Sequence, residues 1–230
     1  VLEIGFDLIN DINIGPNEEF DWEGKSTSLY CIVAGNVSED LRTLYQVLSH
    51  LSKFYQGVFY VPGLLEYKTA LDHETRTKEI AALIKKLPKV AFLYHHVVII
   101  DGIAILGANG WSADKLDDID ARLIKSRLED IAYLGDSVSK LQRHLDVKRI
   151  LLITACIPEK DLYFGQLPKH VDDHIYPGYC LSNDTEMKIT HWAFGCNEQT
   201  VDTVVKGVKY VSNPYKKNSV YWPKRINITL

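Results

Sequence analysis

Short, almost continuous apolar runs alternate with stretches of helical period along this chain. Residues 2–7, LEIGFD, read as a first strand. Residues 28–36, SLYCIVAGN, are nearly all apolar, the pattern of a parallel strand covered on both faces. The period then changes. Leu41, Leu44, Tyr45, Leu48 and Leu51 fall on one helical face. Ser38 stands where it can cap that helix, and Glu39 and Asp40 suit the positive end of its dipole. GVFYVPG (57–63) is a third short strand, stopped by Pro62 and Gly63, and a second helix covers 72–87 with Ile80, Leu83, Ile84 and Leu87 inward.

The second half is richer in strands. Residues 89–111 hold one strand and then two more joined by Asp101-Gly102, a strong hairpin signal between apolar runs. A charged helical region covers 114–145, a strand 149–154, and a long loop region 160–185. KITHWAFG and TVDTVVKGVKYVSN close the pattern as strands, with a turn at Lys206-Gly207. Strand–helix–strand units in front of hairpins imply a mixed sheet, or two stacked sheets, flanked by helices. No repeat or linker divides the chain, so residues 1–230 form a single domain. In such folds chemistry gathers at the C-terminal ends of buried strands. The strand in LLITACIPEK (151–160) ends on Ala155 and Cys156, a methyl group and a thiol.

Composition narrows the function classes. The hydrophobic fraction is 46% and the charged fraction 24%, ordinary for a soluble globular domain. The net charge of −4 comes with no long basic run, which argues against nucleic acid as a partner. No apolar run approaches the ~20 residues of a bilayer span. VLEIGFDLIN has neither the basic region nor the cleavage site of a secretory signal, so the expectation is a cytoplasmic protein or part of an assembly formed inside the cell. Cys31, Cys156, Cys180 and Cys196 form no CxxC, and Cys31 and Cys156 read as reduced core thiols. The sequons at Asn36, Asn183 and Asn227 carry no weight without a secretory signal.

Six stretches, in order, resemble the calcineurin-like metallophosphoesterases. GFDLIND stands where that family has Asp-x-His after its first strand, and CIVAGNVSE where it has Gly-Asp after its second. VFYVPGLLEY stands for Gly-Asn-His-Asp/Glu, and ILGANGWSAD resembles a loop midway in the family. LLITACIPEK stands for the mid-chain His, and HWAFGCNEQTVDTVVKGVKYVSNP for the final Gly-His-x-His with its hairpin. The resemblance implies a four-layer α-β-β-α sandwich of two mixed sheets flanked by helices. It also implies two adjacent divalent metals whose bridging hydroxide attacks a phosphoester.

On this reading most ligand positions are substituted. Asp7 keeps the first Asp, the His two residues on is Ile9, and the bridging Asp is Asn36. The Asn-His pair is Leu64-Leu65, the mid-chain His is Ala155, and the last two His are Cys196 and Glu198. One metal would rest on Asp7, Ile9, Asn36 and Glu198; the other on Asn36, Leu64, Ala155 and Cys196. The second set cannot hold a metal; the first retains three oxygen-bearing residues. The expectation is therefore a catalytically inactive, cofactor-free pseudoenzyme, a structural or protein-binding module whose partner is another protein or copies of itself. The alternative is a residual one-metal phosphoesterase or nucleotidase holding a single Mg²⁺, Mn²⁺ or Ca²⁺ on Asp7, Asn36 and Glu198.

Other candidates compete with plainer readings. His95-His96 precede an apolar strand and read as an exposed strand-end pair. His170 and His174, with Asp172 and Asp173, have zinc-like spacing if helical but read as a polar loop. Cys196 has no cation beside it in sequence to activate its thiol, and Ser38 and Ser112 have no triad context. The last nineteen residues, SNPYKKNSVYWPKRINITL, interleave aromatic and cationic side chains, as solvated strands and turns do and as interfaces do.

Overall fold

The computed structural model describes residues 2–111, 121–162, 177–180, 187–217 and 219–230. In chain order the first half gives β1 (Glu3–Ile9), β2 (Tyr30–Ala34), α1 (Leu41–Leu51), β3 (Gly57–Val61), α2 (Leu64–Tyr67), α3 (His73–Ile84) and β4 (Val90–Phe92). The second half gives β5 (His96–Ile100), β6 (Ile103–Ala108), α4 (Ala121–Arg143), β7 (Arg149–Thr154), β8 (Ile189–Phe194), β9 (Val201–Val205), β10 (Val208–Ser212) and β11 (Lys224–Thr229). One sheet runs β11-β1-β2-β3-β4, the other β5-β6-β7-β8-β10-β9.

Alternation along the strands sorts the apolar residues into three layers. From β2, Cys31 and Val33 face outward and meet Leu44 and Leu48 of α1 and Ile80 and Ile84 of α3. Ile32 and Ala34 face inward and meet Phe59 of β3 and Ile105, Leu151 and Ile153 of the opposite sheet. Leu106, Leu152 and Trp192 face the other way, under Leu134 and Leu141 of α4. The result is a helix layer, two mixed sheets back to back and a second helix layer, the four-layer sandwich expected. β1 to β4 run parallel, as do β6, β7, β8 and β10. Among the described residues no helix is long and apolar enough to cross a membrane.

Local chemistry sets the element ends. Ile100 pairs with Ile103 across the Asp101-Gly102 turn, whose φ angles of 47° and 87° suit an Asp-Gly pair. Val205 pairs with Val208 across Lys206-Gly207 in the same way, φ 49° and 81°. The cap of α1 is Asp40, not Ser38. Asp40 Oδ2 accepts the Thr43 backbone N–H at 2.8 Å, while the buried Ser38 hydroxyl accepts the Asp40 N–H one turn earlier. Asp72 caps α3 through the Thr75 N–H at 2.7 Å. The aromatic tail is partly an inner element: β11 lies antiparallel to β1 at the sheet edge, with Ile226 and Ile228 buried.

Candidate functional site

The parallel strands deliver their C-terminal ends to one edge of the sandwich, and the loops there hold the polar cluster. β1 continues through Ile9 to Asn10 and Asp11. Asp11, at φ 53°, donates its backbone N–H to Gly35 O at 3.1 Å, which places its carboxylate beside the end of β2. Gly35 (φ 74°) and Asn36 (φ 55°) turn that chain sharply. Asn36 Nδ2 then donates to Asp11 Oδ1 at 2.7 Å and to Cys196 Sγ at 3.2 Å, and Asn36 Oδ1 accepts the Leu65 N–H at 3.0 Å. A flipped amide would put oxygen against carboxylate and N–H against N–H, so the neighbours fix the orientation.

Asp11 is saturated by the loops around it. Its Oδ1 also accepts the Cys196 N–H at 3.1 Å; its Oδ2 accepts Asn10 Nδ2 at 2.9 Å and the Asn197 N–H at 3.3 Å. Burial raises the Asp11 carboxyl above its usual range, and these hydrogen bonds oppose the rise. Asn10 in turn holds Ser212 and the Asn213 N–H, which joins the end of β10 to the cluster. On the far side, Cys156 Sγ lies 3.7 Å from Cys196 Sγ and 3.5 Å from Asn109 Oδ1. The Cys196 thiol is pushed well above its ordinary value, first by its hydrogen bond with Cys156, then by burial and by the charge of Asp11.

Above this floor opens a cavity of 810 Å³, in the size range of small-molecule sites. Leu64, Leu65, Tyr67, Trp111 and Tyr215 form much of its wall. Trp111 stacks on His73 at 4.6 Å and meets the edge of Tyr67 at 4.8 Å, which fixes the aromatic side. Lys68, Lys216 and Glu198 bring charge to the lining.

The structure brings together only part of the set read from sequence. Asn36, Leu64, Leu65, Cys196 and Glu198 line the cavity, with Glu198 exposed. Asp7 does not. It lies mid-strand opposite Cys31, five residues before Asn36 along β2, roughly 16 Å from it at strand rise. Its oxygens accept Thr27 N at 2.6 Å, Thr27 Oγ1 and Ser28 Oγ at 2.5 Å and Tyr55 OH at 2.8 Å, so Asp7 pins the 27–28 loop. Ile9 is buried under the helices. Past the strand end stand Asp11 and Asn13, with the same Asp-x-X spacing in NDINIG; the strand runs two residues beyond the apolar run at 2–7.

Ala155 is displaced in the same sense. It packs between the sheets, where a Cβ built on Gly35 would come within 2.4 Å of the Ala155 Cβ. The side chain that β7 sends to the cluster is Cys156. Glu66 stands one residue past Leu65 and escaped the sequence reading. It is fully buried and accepts Val37 N at 2.9 Å, Tyr60 OH at 3.0 Å and Gly63 N at 3.0 Å. Burial raises its carboxyl to about 7.

The other candidates resolve in different ways. His95 is not an exposed strand-end residue. Its Nε2 lies 2.6 Å from Asp130 Oδ1, whose other oxygen accepts the Gly110 N–H at 2.8 Å, and Tyr94 and Tyr133 stack on its two faces. This half-buried clamp ties the Tyr94–His95 turn and the loop after β6 to α4. His96 is exposed at the start of β5. His170, His174, Asp172, Asp173 and Ser112 lie outside the described residues.

Two divalent metals do not fit the donors that the described residues bring to this edge. The amide nitrogen of Asn36 faces the Asp11 carboxylate, leucines stand at 64 and 65, and both thiols are held in contact with each other. Among the described residues no group of three His, Cys, Asp or Glu side chains is placed to hold a metal.

Solved structures share the fold. The crystal structure of phosphopantetheinyl hydrolase (PptH) from Mycobacterium tuberculosis aligns over 97% of this chain and 96% of its own, with a TM-score of 0.64 and 13% identity. A Staphylococcus aureus protein assigned as a 5′-nucleotidase, solved with alpha-ketoglutarate, aligns over 99% of this chain and 51% of its own, with a TM-score of 0.56 and 12% identity. The fold is thus of the metallophosphoesterase type. No protein-family model matches the sequence, and no curated protein matches it.

Proposed function

We propose that this chain is a metallophosphoesterase-type fold without a metal centre, acting as a structural or protein-binding module rather than by turnover. The observation that carries the reading is the amide of Asn36. It stands at the bridging position of the resemblance, donates to Asp11 at 2.7 Å and to Cys196 at 3.2 Å, and joins groups that metal ions join in the family. Hydrolysis in such a site needs metal-bound hydroxide and cations to offset the charge developing on phosphate. Neutral or apolar side chains occupy most of the positions that would supply them.

Partner binding is supported by the tail, where Val220 and Trp222 are exposed beside buried Tyr221. Asn213 anchors Tyr221 through its hydroxyl at 2.7 Å, so the exposed pair is presented on a fixed segment. The partner is another protein or a second copy. The one-metal alternative on Asp7, Asn36 and Glu198 has lost its first member to the Thr27–Ser28 loop.

The test is assay of the purified chain against phosphomonoesters and phosphodiesters with Mn²⁺, Zn²⁺, Mg²⁺ or Ca²⁺. Sedimentation of the wild type and of Trp222→Ala follows self-association. The expected result is background turnover; robust metal-dependent hydrolysis overturns the proposal.

A further inference from the structure

The two thiols under the cavity stand in a relation that a phosphoesterase fold does not require. β7 and β8 are parallel neighbours with Thr154 opposite Phe194. Cys156 and Cys196 each follow two residues later, and their Sγ atoms lie 3.7 Å apart. Both are free thiols, unequally reached: Cys156 is fully buried, whereas Cys196 is partly exposed and lines the cavity. Asn109 Oδ1, 3.5 Å from Cys156 Sγ, holds the buried thiol beside its neighbour.

We propose that Cys156 and Cys196 form a redox-active dithiol whose co-substrate is a low-molecular-weight disulfide, such as oxidised glutathione, admitted through the cavity. Cys196 is the attacking group and Cys156 the resolving one. The Cys196 proton, held by burial and by the Cys156 contact, passes to hydroxide, and the sulfur attacks one sulfur of the glutathione disulfide, so the exchange is slow at neutral pH and quickens as pH rises. A bond forms between Cys196 and that glutathione, the glutathione S–S bond breaks, and the released thiolate takes up a proton. Cys156 then loses its proton, and its sulfur attacks Cys196 Sγ. The second glutathione leaves as a thiolate and is protonated. Two protein thiols are oxidised by two electrons, and one disulfide is reduced to two thiols.

The reaction changes the cavity floor. Cys196 Sγ accepts from Asn36 Nδ2 in the reduced state, and drawing that sulfur toward Cys156 leaves the amide to Asp11. The proposal does not rest on the absence of phosphoesterase activity.

The experiment uses the full chain, folded, incubated with oxidised glutathione, then alkylated and analysed by peptide mass spectrometry. The expected product is a peptide linked through Cys156 and Cys196. Cys156→Ser should stop at a single glutathione on Cys196, and Cys196→Ser should leave Cys156 unmodified. Cys156→Ala serves if the serine variant does not fold. A wild type that keeps Cys196 free, that retains glutathione on Cys196 with Cys156 reduced, or that links Cys196 to Cys180 or Cys31 overturns the proposal.

Discussion

Asn36 gives one amide hydrogen to the Asp11 carboxylate at 2.7 Å and turns its oxygen to the Leu65 N–H at 3.0 Å. That pair joins the ends of β1 and β2 and the start of α2, where separate strands must be held in register around a cavity. The loops at this edge meet through direct hydrogen bonds.

Asn36→Asp tests that substitution most simply. It removes the donor and sets a second carboxylate against Asp11 in a part-buried place, which should cost roughly 1–3 kcal/mol at neutral pH. The Asp11 carboxyl is already raised by burial, and a like charge raises it further. Unfolding then releases protons as pH rises, so the deficit should be smallest in acid and grow toward alkaline pH. Urea unfolding at several pH values checks both the sign and the size.

Asp7→Ala should destabilise the fold without touching the cavity cluster. Four donors lose their acceptor at once, from Thr27, Ser28 and Tyr55, and the expected loss is about 2–4 kcal/mol. Thermal unfolding with and without Mn²⁺ should show the same deficit in both conditions. A metal-dependent difference would return Asp7 to the site.

Ala155 and Cys156 separate under substitution by His. At 155 the new ring must enter the layer between the sheets against Gly35, an overpacking expected to cost about 1–3 kcal/mol or more. At 156 the ring points toward the cavity floor, so Cys156→His should be the milder change. Midpoints of urea unfolding for the two variants decide which residue faces the cluster.

Glu66 gives the pH profile its shape. Its carboxyl has a pKa raised from 4.5 to about 7 in the folded chain, chiefly by burial. A carboxyl raised on folding contributes stability below its unfolded value and loses it as pH climbs through the folded value. Stability should therefore fall between about 4.5 and about 7, and Glu66→Gln should flatten that window. A glutamine oxygen can still accept from Val37 N and Tyr60 OH, but its NH2 then faces the Gly63 N–H, so the variant should be less stable at pH 5.

The sandwich was legible because alternation and helical period are local signals. The apolar runs at 28–36 and 149–154 could only be covered strands, and Asp101-Gly102 and Lys206-Gly207 name their turns. Within the site, Asn36, Leu64, Leu65, Cys196 and Glu198 could be placed because short turns fix them to the strand ends. The first and fifth stretches are set differently. β1 extends through Ile9, so the acidic residue past its end is Asp11; the extension is held by Ile32 and Val33 of β2 and by Lys224 of β11, which pairs with Leu8 from more than 200 positions away. The choice between Ala155 and Cys156 depends on the close approach of Gly35, which no local pattern records. The exposure expected of His95 fails because its partner Asp130 comes from a helix 35 positions away.

Metal content of the purified chain decides whether this edge of the sandwich is a metal centre. The protein is incubated with Mn²⁺, Zn²⁺, Mg²⁺ and Ca²⁺, desalted and analysed by mass spectrometry, with phosphoester turnover measured alongside. Less than about a tenth of an equivalent of metal per chain and background turnover are expected, because the described residues assemble no ligand set that would retain a cation. One or two tightly held equivalents, lost in Asp11→Ala and accompanied by turnover, would contradict that expectation.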